Sequence, residues 1–355
     1  MRSTFRRGLL LVLLWGLAVL LGAAAVARLV GGRSAIPDLW ARAQPGTLLL
    51  GVLLISVATV LVAVRWRWLL PEPARSRANL GLLTAIQCAS TLFSYALPGP
   101  TGDLAAAVMV KRRYGIALSD ALVAGLALRI LGLGVAGAVA GVTWLALDVE
   151  LPGLWRQAFA VAVVGMVGVA GGIALAALAP GPFRRTVAAL ARWIGRGALA
   201  RPAARLAGAS NAVLDALEAT AARGARPLVA SSLWTVVGHC ISPIGLAVAA
   251  RGLGIQADWV GVCFANNFTI VAAVALYVLP GAPVGWDVLY GAVMTRSAGI
   301  GVVDAAALVA VGRLQLTVLV VAGALSLLGM ARWLLPAGKD DLSRMAADPA
   351  DGPRP

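Results

Sequence analysis

Long apolar runs alternate along this chain with short connections that are rich in arginine. Each of the longest runs holds roughly the 20 residues that a helix needs to cross the hydrocarbon core of a bilayer. We predict about six spanning helices, at about 8–30, 46–64, 117–146, 156–179, 227–250 and 302–330. The first is interpreted as a retained helix, because its apolar core is too long for a typical signal peptide. The pattern therefore predicts an all-α polytopic membrane protein.

Two further apolar stretches are interrupted by helix-breaking residues. The runs at about 80–97 and 259–279 each stop at a Leu-Pro-Gly break, and short apolar pieces follow at 103–110 and 287–295. We predict that each run and its short piece form a re-entrant helical hairpin. Such a backbone is allowed at membrane depth only where protein or a water-filled cavity covers it. The predicted break residues are Pro98, Gly99, Gly102, Pro280, Gly281 and Gly285.

The sequence around the first break returns around the second. Residues 97–115 read LPGPTGDLAAAVMVKRRYG, and residues 279–299 read LPGAPVGWDVLYGAVMTRSAG. After a two-residue insertion, the scarce charged residues match at a constant offset of 184: Asp103 with Asp287, Arg112 with Arg296, Arg129 with Arg313. This agreement predicts an internal duplication, with repeat 1 at about 46–146 and repeat 2 at about 227–330.

Charge sets the predicted orientation of these segments. The chain carries 30 Lys and Arg against 15 Asp and Glu, and cytoplasmic loops of membrane proteins are enriched in Lys and Arg. The basic segments assigned to the cytoplasmic side are 1–7, 65–77, 181–226 and 331–344. Both termini are then cytoplasmic in a multi-pass protein of the plasma (inner) membrane. Three crossings separate the two copies, so the second copy is predicted to be inverted, as in transporters with alternating access.

The basic connection at 181–226 contains a predicted amphipathic helix. Val187, Leu190, Ala191 and Ile194 share one helical face, and most arginines lie off that face. The helix is interpreted either as a topology anchor or as a site for anionic lipids at the cytoplasmic surface. The Pro-rich polar tail, 336–355, is predicted to be disordered.

Composition excludes several functions. With 60% hydrophobic and 13% charged residues, the chain is far from a soluble domain, so its excess positive charge does not indicate nucleic acid as a partner. Cys88, Cys240 and Cys263 lie in apolar segments and form neither a disulfide framework nor a metal site. His239 is the only histidine and is interpreted as a core residue or a proton carrier. We expect no metal and no cofactor.

Arg129 and Arg313 are the residues that most need explanation. Arg129 lies about 12 residues into its helix, a rise of roughly 18 Å. A guanidinium at that depth costs roughly 3 kcal/mol or more and needs an anionic partner. Two roles are open for each arginine. It forms a structural ion pair with the aspartate of its own hairpin, Arg129 with Asp103 and Arg313 with Asp287, or it binds a lipid phosphate bidentately.

The groups around these arginines have alternative roles as well. Each aspartate would balance the charge of its arginine or contact a cationic head group, and Asp103 alternatively caps a short helix that begins after Gly102. The predicted head-group contacts are Arg129, Arg313, Asp103, Asp287, Arg112 and Arg296.

The two blocks from Leu97 to Arg129 and from Leu279 to Arg313 resemble the lysylphosphatidylglycerol synthase transmembrane domain, also called the flippase-like domain. The resemblance covers nearly all of residues 1–335 and implies a polytopic membrane protein. Some members translocate or present lipids or lipid-linked intermediates, and others are fused to a cytosolic aminoacyl-transfer domain. This chain departs from the pattern by having aspartate at both acidic positions, Ala106 in place of an arginine, and Trp286 before the second acid. No synthase domain is expected after residue 335.

Three functions remain open from the sequence. The first is a flippase-like protein that translocates or presents a phospholipid or lipid-linked intermediate through a central Arg/Asp site. The second is a membrane-embedded lipid transferase that uses Asp103 or Asp287 as an acid or base. The third is a non-catalytic membrane partner of a separate synthase.

Overall fold

The computed structural model of the chain is helical throughout its described parts. It describes residues 41–72, 74–96, 101–147, 178–194, 200–272 and 282–334, with scattered helical positions between 153 and 176. Eleven helices and no strands occur in these ranges. The tail from 335 onwards lies outside the described residues.

Four helices are long and apolar enough to span a membrane. They are α1 (Pro45–Leu69), α5 (Leu118–Ala146), α8 (Arg226–Gly252) and α11 (Val302–Leu334, of which the apolar window is Val302–Met330). These confirm four of the predicted spans. The predicted spans at 8–30 and, for the most part, 156–179 lie outside the described residues.

The other described helices are shorter. They are α2 (Ala74–Arg77), α3 (Leu80–Ala96), α4 (Thr101–Tyr114), α6 (Pro180–Ile194), α7 (Ala200–Ala222), α9 (Trp259–Ala272) and α10 (Ala282–Ser297). Helices α3 and α4 contact each other, as do α9 and α10. These are the segments predicted to form the two hairpins.

Helices α1 and α8 form the most extensive contact between described helices and run antiparallel. Gly51 of α1 faces Gly245 and Ala249 of α8, whereas Gly252 at the end of α8 faces Leu48 near the start of α1. A Cβ atom at Gly51 would lie 2.7 Å from both the Ala249 nitrogen and the Gly245 oxygen. The two backbones therefore touch at a point where only glycine fits.

Replacing Gly51 by alanine is expected to lower the melting temperature, because the added methyl group meets backbone atoms that cannot rotate away. Overpacking of this kind costs about 1–3 kcal/mol. Gly46 on the same helix has no neighbour within 4 Å of an added Cβ atom, so Gly46→Ala is the matched control. Thermal unfolding of the purified protein measures both. Equal melting temperatures for the two variants would contradict the close contact of α1 with α8.

Hydrogen bonds link the chain segments at both ends of this antiparallel pair of helices. The Gln44 backbone N–H donates to the carbonyl oxygen of Gly252 at 2.6 Å. At the opposite end, Arg223 donates to the carbonyl oxygens of Leu69 and Leu70 at 3.2 and 3.0 Å. Burial lowers the pKa of Arg223, and the Asp120 carboxylate partly offsets that effect. The guanidinium thus satisfies carbonyls that the end of α1 leaves without helical partners.

The hairpin helices are packed against spanning helices from the other half of the chain. Helix α3 contacts α11, and helix α9 contacts α5. Gly323 of α11 lies against the Cys88 carbonyl of α3, where a Cβ atom would be 2.3 Å away. One apolar core gathers around α3 and α4, and a second gathers around α9 and α10.

The starts of the two short helices differ from the prediction. Helix α4 begins at Thr101 and α10 at Ala282, so Gly102 and Gly285 lie inside helices and are not break residues. Gly102 instead allows close packing, since a Cβ atom there would lie 2.4 Å from the Ser90 carbonyl oxygen of α3. The other predicted break residues, Pro98, Gly99, Pro280 and Gly281, lie outside the described residues.

The basic connection folds into two helices that contact each other. Helix α6 is the predicted amphipathic helix, and Arg184 on it pairs with Asp215 and Glu218 of α7 at 2.6 and 2.9 Å. Helix α7 was not predicted, and it packs against α5. Leu190 and Trp193 of α6 are exposed, so only part of the predicted apolar face is covered.

Candidate functional site

The second Arg/Asp pair is buried between α10 and α11. The Arg313 Nε atom donates to both carboxylate oxygens of Asp287, at 3.0 and 2.8 Å, and Nη2 lies 2.7 Å from Oδ2. The side chains are only 7% and 24% exposed. The multiple short contacts make this a fork-like, charge-assisted pair, the strong form of the interaction.

The first pair joins the matching helices of the other half. Arg129 of α5 donates through Nε to Asp103 Oδ2 of α4 at 2.5 Å. Asp103 lies in the first turn of α4, inside the helix, so it is not the N-cap residue. Both predicted pairings are therefore present, and each arginine contacts the aspartate of its own hairpin.

The two pairs differ in exposure. Arg129 is 47% exposed against 7% for Arg313, whereas Asp103 and Asp287 differ less, at 35% and 24%. We call the Arg129/Asp103 pair open and the Arg313/Asp287 pair closed, in the sense of this side-chain exposure. Sequence alone does not contain this difference, because it depends on how neighbouring helices pack over each pair.

A cavity of about 200 Å³ adjoins the buried pair. It lies between α1, α8, α9, α10 and α11, and Asp287 and Arg313 form part of its wall. The remaining lining residues are uncharged, and those with polar side-chain atoms are Ser242, Asn266, Trp286, Tyr290 and Gln315. Asn266 lies in the apolar run at 259–279 that precedes the second predicted break, whereas nothing in the sequence pattern indicated Ser242 and Gln315.

Arg112 and Arg296 do not join the pairs. Each follows the aspartate of its helix by nine positions, a rise of about 13 Å along the helix axis. Both side chains are exposed near the C-terminal ends of α4 and α10. The structure therefore does not bring these two predicted head-group residues to the Arg/Asp pairs.

Arg65 is a buried cation that the sequence analysis assigned to the basic cytoplasmic segment 65–77. Helix α1 continues through it to Leu69, beyond the predicted end at 64, and its side chain is buried. Its Nη2 atom donates to the Leu128 carbonyl oxygen at 2.9 Å, and its Nε atom has no partner. The contact ties α1 to the residue that precedes Arg129. Because Arg65 was expected close to the membrane surface, the sequence did not indicate that its guanidinium would be buried between helices.

His239 is held by an amide side chain. Its Nδ1 atom lies 2.7 Å from Asn267 Oδ1, and the Asn267 amide also donates to the carbonyl oxygens of His239 and Cys263. This arrangement agrees with the interpretation of a hydrogen-bonded core histidine. Within the described ranges, no cluster of three or more His, Cys, Asp or Glu residues is placed to hold a metal ion.

The long apolar helices and the ion pairs beside them define a multi-pass α-helical membrane protein. The model of the family described as "Lysylphosphatidylglycerol synthase TM region" matches residues 12–333. The chain belongs to this family, which confirms the resemblance carried by the two motif blocks. Neither a curated protein nor a solved structure matches the chain.

Proposed function

We propose that this protein moves a phospholipid or lipid-linked intermediate between the membrane leaflets by exposing its two Arg/Asp pairs alternately. The observation that carries the proposal is the difference between the pairs, with Arg313 7% and Arg129 47% exposed. In transporters built from inverted repeats, one repeat rocks against the other and exposes a site to each side in turn. The unequal exposure of two matching pairs agrees with one state of such a cycle. Family membership supports a role with membrane lipids.

The packing supports an inverted relationship between the two halves. The contacts of α1 with α3 and α5 have counterparts in those of α8 with α9 and α11. The contact of α3 with α11 likewise has its counterpart in that of α9 with α5. The first helices of the repeats, α1 and α8, lie antiparallel, as two units of opposite orientation require.

The chemistry of the pairs favours transport over catalysis. A transferase would need Asp103 or Asp287 as an acid or base, yet both carboxylates are held by guanidinium groups. At the more exposed pair, a lipid phosphate would compete with Asp103 for the Arg129 guanidinium, because arginine binds phosphate and carboxylate with the same bidentate geometry. The aspartate then neutralises the site whenever the lipid leaves.

Translocation of fluorescent phospholipids in proteoliposomes tests this function. The purified chain is expected to bring labelled lipid to the outer leaflet faster than protein-free vesicles, and a heat-denatured sample is the control. Rates equal to those of protein-free vesicles would overturn the proposal. Turnover of a lipid with a soluble donor in the same vesicles would instead identify the transferase, and co-purification of a synthase would identify the partner protein.

A further inference from the structure

We infer that the cavity beside Asp287 and Arg313 is a binding site for a small, uncharged polyhydroxyl head group, such as a single sugar unit on a lipid. The inference rests on the proposed function, because it assigns the substrate class of the same site. It follows from the charge, the lining groups and the size of the cavity, together with a difference between the two repeats.

The charges in this cavity already satisfy each other. Among the residues that the structure describes, Asp287 and Arg313 are the only charged ones lining it, and three short contacts join them. A charged head group entering the cavity would have to break that pair or lie unpaired in a buried place, which is costly. An uncharged group meets no such penalty.

The other polar lining groups suit hydroxyl groups. Asn266 and Gln315 each offer an amide donor and an amide acceptor, and Ser242 offers a hydroxyl. These groups, together with the carboxylate and guanidinium atoms that face the cavity, can form hydrogen bonds with a ligand whose hydroxyl groups both donate and accept. Trp286 adds a flat apolar surface on which the C–H face of a sugar ring can rest.

The volume agrees with one small ring. The cavity volume of about 200 Å³ equals the volume that six or seven water molecules occupy in the liquid, at roughly 30 Å³ each. That space accommodates one hexose-sized group. The acyl or prenyl tails would remain in the surrounding lipid.

The lining is specific to the second repeat. At the 184-residue offset, Trp286 matches Gly102, Tyr290 matches Ala106, and Gln315 matches Leu131. The first repeat therefore keeps the Arg/Asp pair but has neither aromatic ring nor the glutamine amide at these three positions. Head-group recognition is assigned to repeat 2, while the open pair of repeat 1 provides only charge.

The test compares lipids retained by the protein in nanodiscs, prepared without sugar-based detergents. Native mass spectrometry is used to measure binding of monohexosyl diacylglycerol, phosphatidylethanolamine and phosphatidic acid, supplied in equal amounts. The parent chain is expected to retain the hexosyl lipid preferentially. Gln315→Leu, which installs the residue of repeat 1, is expected to lower that retention about tenfold, the effect of losing one or two hydrogen bonds.

Leu314→Ile, an apolar change at an exposed position of α11 that does not line the cavity, is the control and is expected to retain the hexosyl lipid as the parent does. Melting temperatures show that Gln315→Leu is folded, and Asn266→Leu provides a second variant if it is not. Equal retention of all three lipids by the parent, or unchanged retention in both folded leucine variants, would overturn the assignment. Translocation of other phospholipids would still stand in that case, whereas a chain that binds the hexosyl lipid but moves no lipid would refute only the proposed function.

Discussion

Replacing Arg313 by alanine is expected to destabilise the protein far more than the same replacement at Arg129. Arg313 is 7% exposed, and its loss leaves the Asp287 carboxylate without its partner in a largely buried place. Breaking a buried pair in this way costs about 3–5 kcal/mol. Arg129 and Asp103 are each about a third or more exposed, and exposed pairs contribute about 1 kcal/mol or less. Thermal unfolding under identical conditions measures the difference.

The double variant Asp287→Ala/Arg313→Ala separates the cost of an unpaired buried charge from the cost of lost side-chain packing. Because it removes both charges, it is expected to recover much of the stability that Arg313→Ala loses. Similar losses for Arg129→Ala and Arg313→Ala would mean that the two pairs are equally covered, which would contradict the open and closed environments.

Replacing both central arginines by glutamine is expected to reduce lipid translocation by roughly a hundredfold or more. Arg129 can form charge-assisted hydrogen bonds with a phosphate, and such bonds contribute about 1.5–3 kcal/mol each. Loss of Arg313 leaves the Asp287 carboxylate without its partner in the wall of the cavity. Glutamine keeps hydrogen-bonding capacity without charge or the bidentate fork. Initial rates in proteoliposomes of equal protein content measure the effect of Arg129→Gln/Arg313→Gln.

A matched control removes two arginines elsewhere. Arg185 on α6 and Arg251 near the end of α8 are exposed and lie outside both pairs. Arg185→Gln/Arg251→Gln is expected to translocate lipid at nearly the parent rate. If the two double variants lose activity to the same degree, the net positive charge of the protein matters and the central pairs do not.

The repeated register made the ion pairs predictable. Asp103 and Arg129 recur as Asp287 and Arg313 at one offset, and each acid contacts the arginine of its own copy. Charges are so scarce in apolar segments that a repeated spacing is informative even without known coordinates. The unequal exposure of the pairs was not predictable, because it depends on how several helices, α1 among them, pack around the second pair.

Helix ends and glycine roles were predicted less well. Charged residues suggested that α1 ends at 64, but arginine is a good helix former and the helix continues to Leu69. Gly102 was interpreted as a break residue, yet its role depends on the Ser90 carbonyl of another helix. Helix α7 is rich in alanine and polar residues, so its helical pattern was hidden within the basic connection.

The measurement that tests the account most directly is the side of the membrane from which two matched positions can be labelled. Arg112 and Arg296 occupy equivalent places at the exposed ends of α4 and α10. In a background with the three native cysteines replaced by alanine, Arg112→Cys and Arg296→Cys are treated with a membrane-impermeant maleimide from either side. Inverted repeats predict labelling of Arg112→Cys from the cytoplasm and of Arg296→Cys from outside. Labelling of both positions from the same side would show that the two copies have the same orientation and would contradict the alternating-access mechanism.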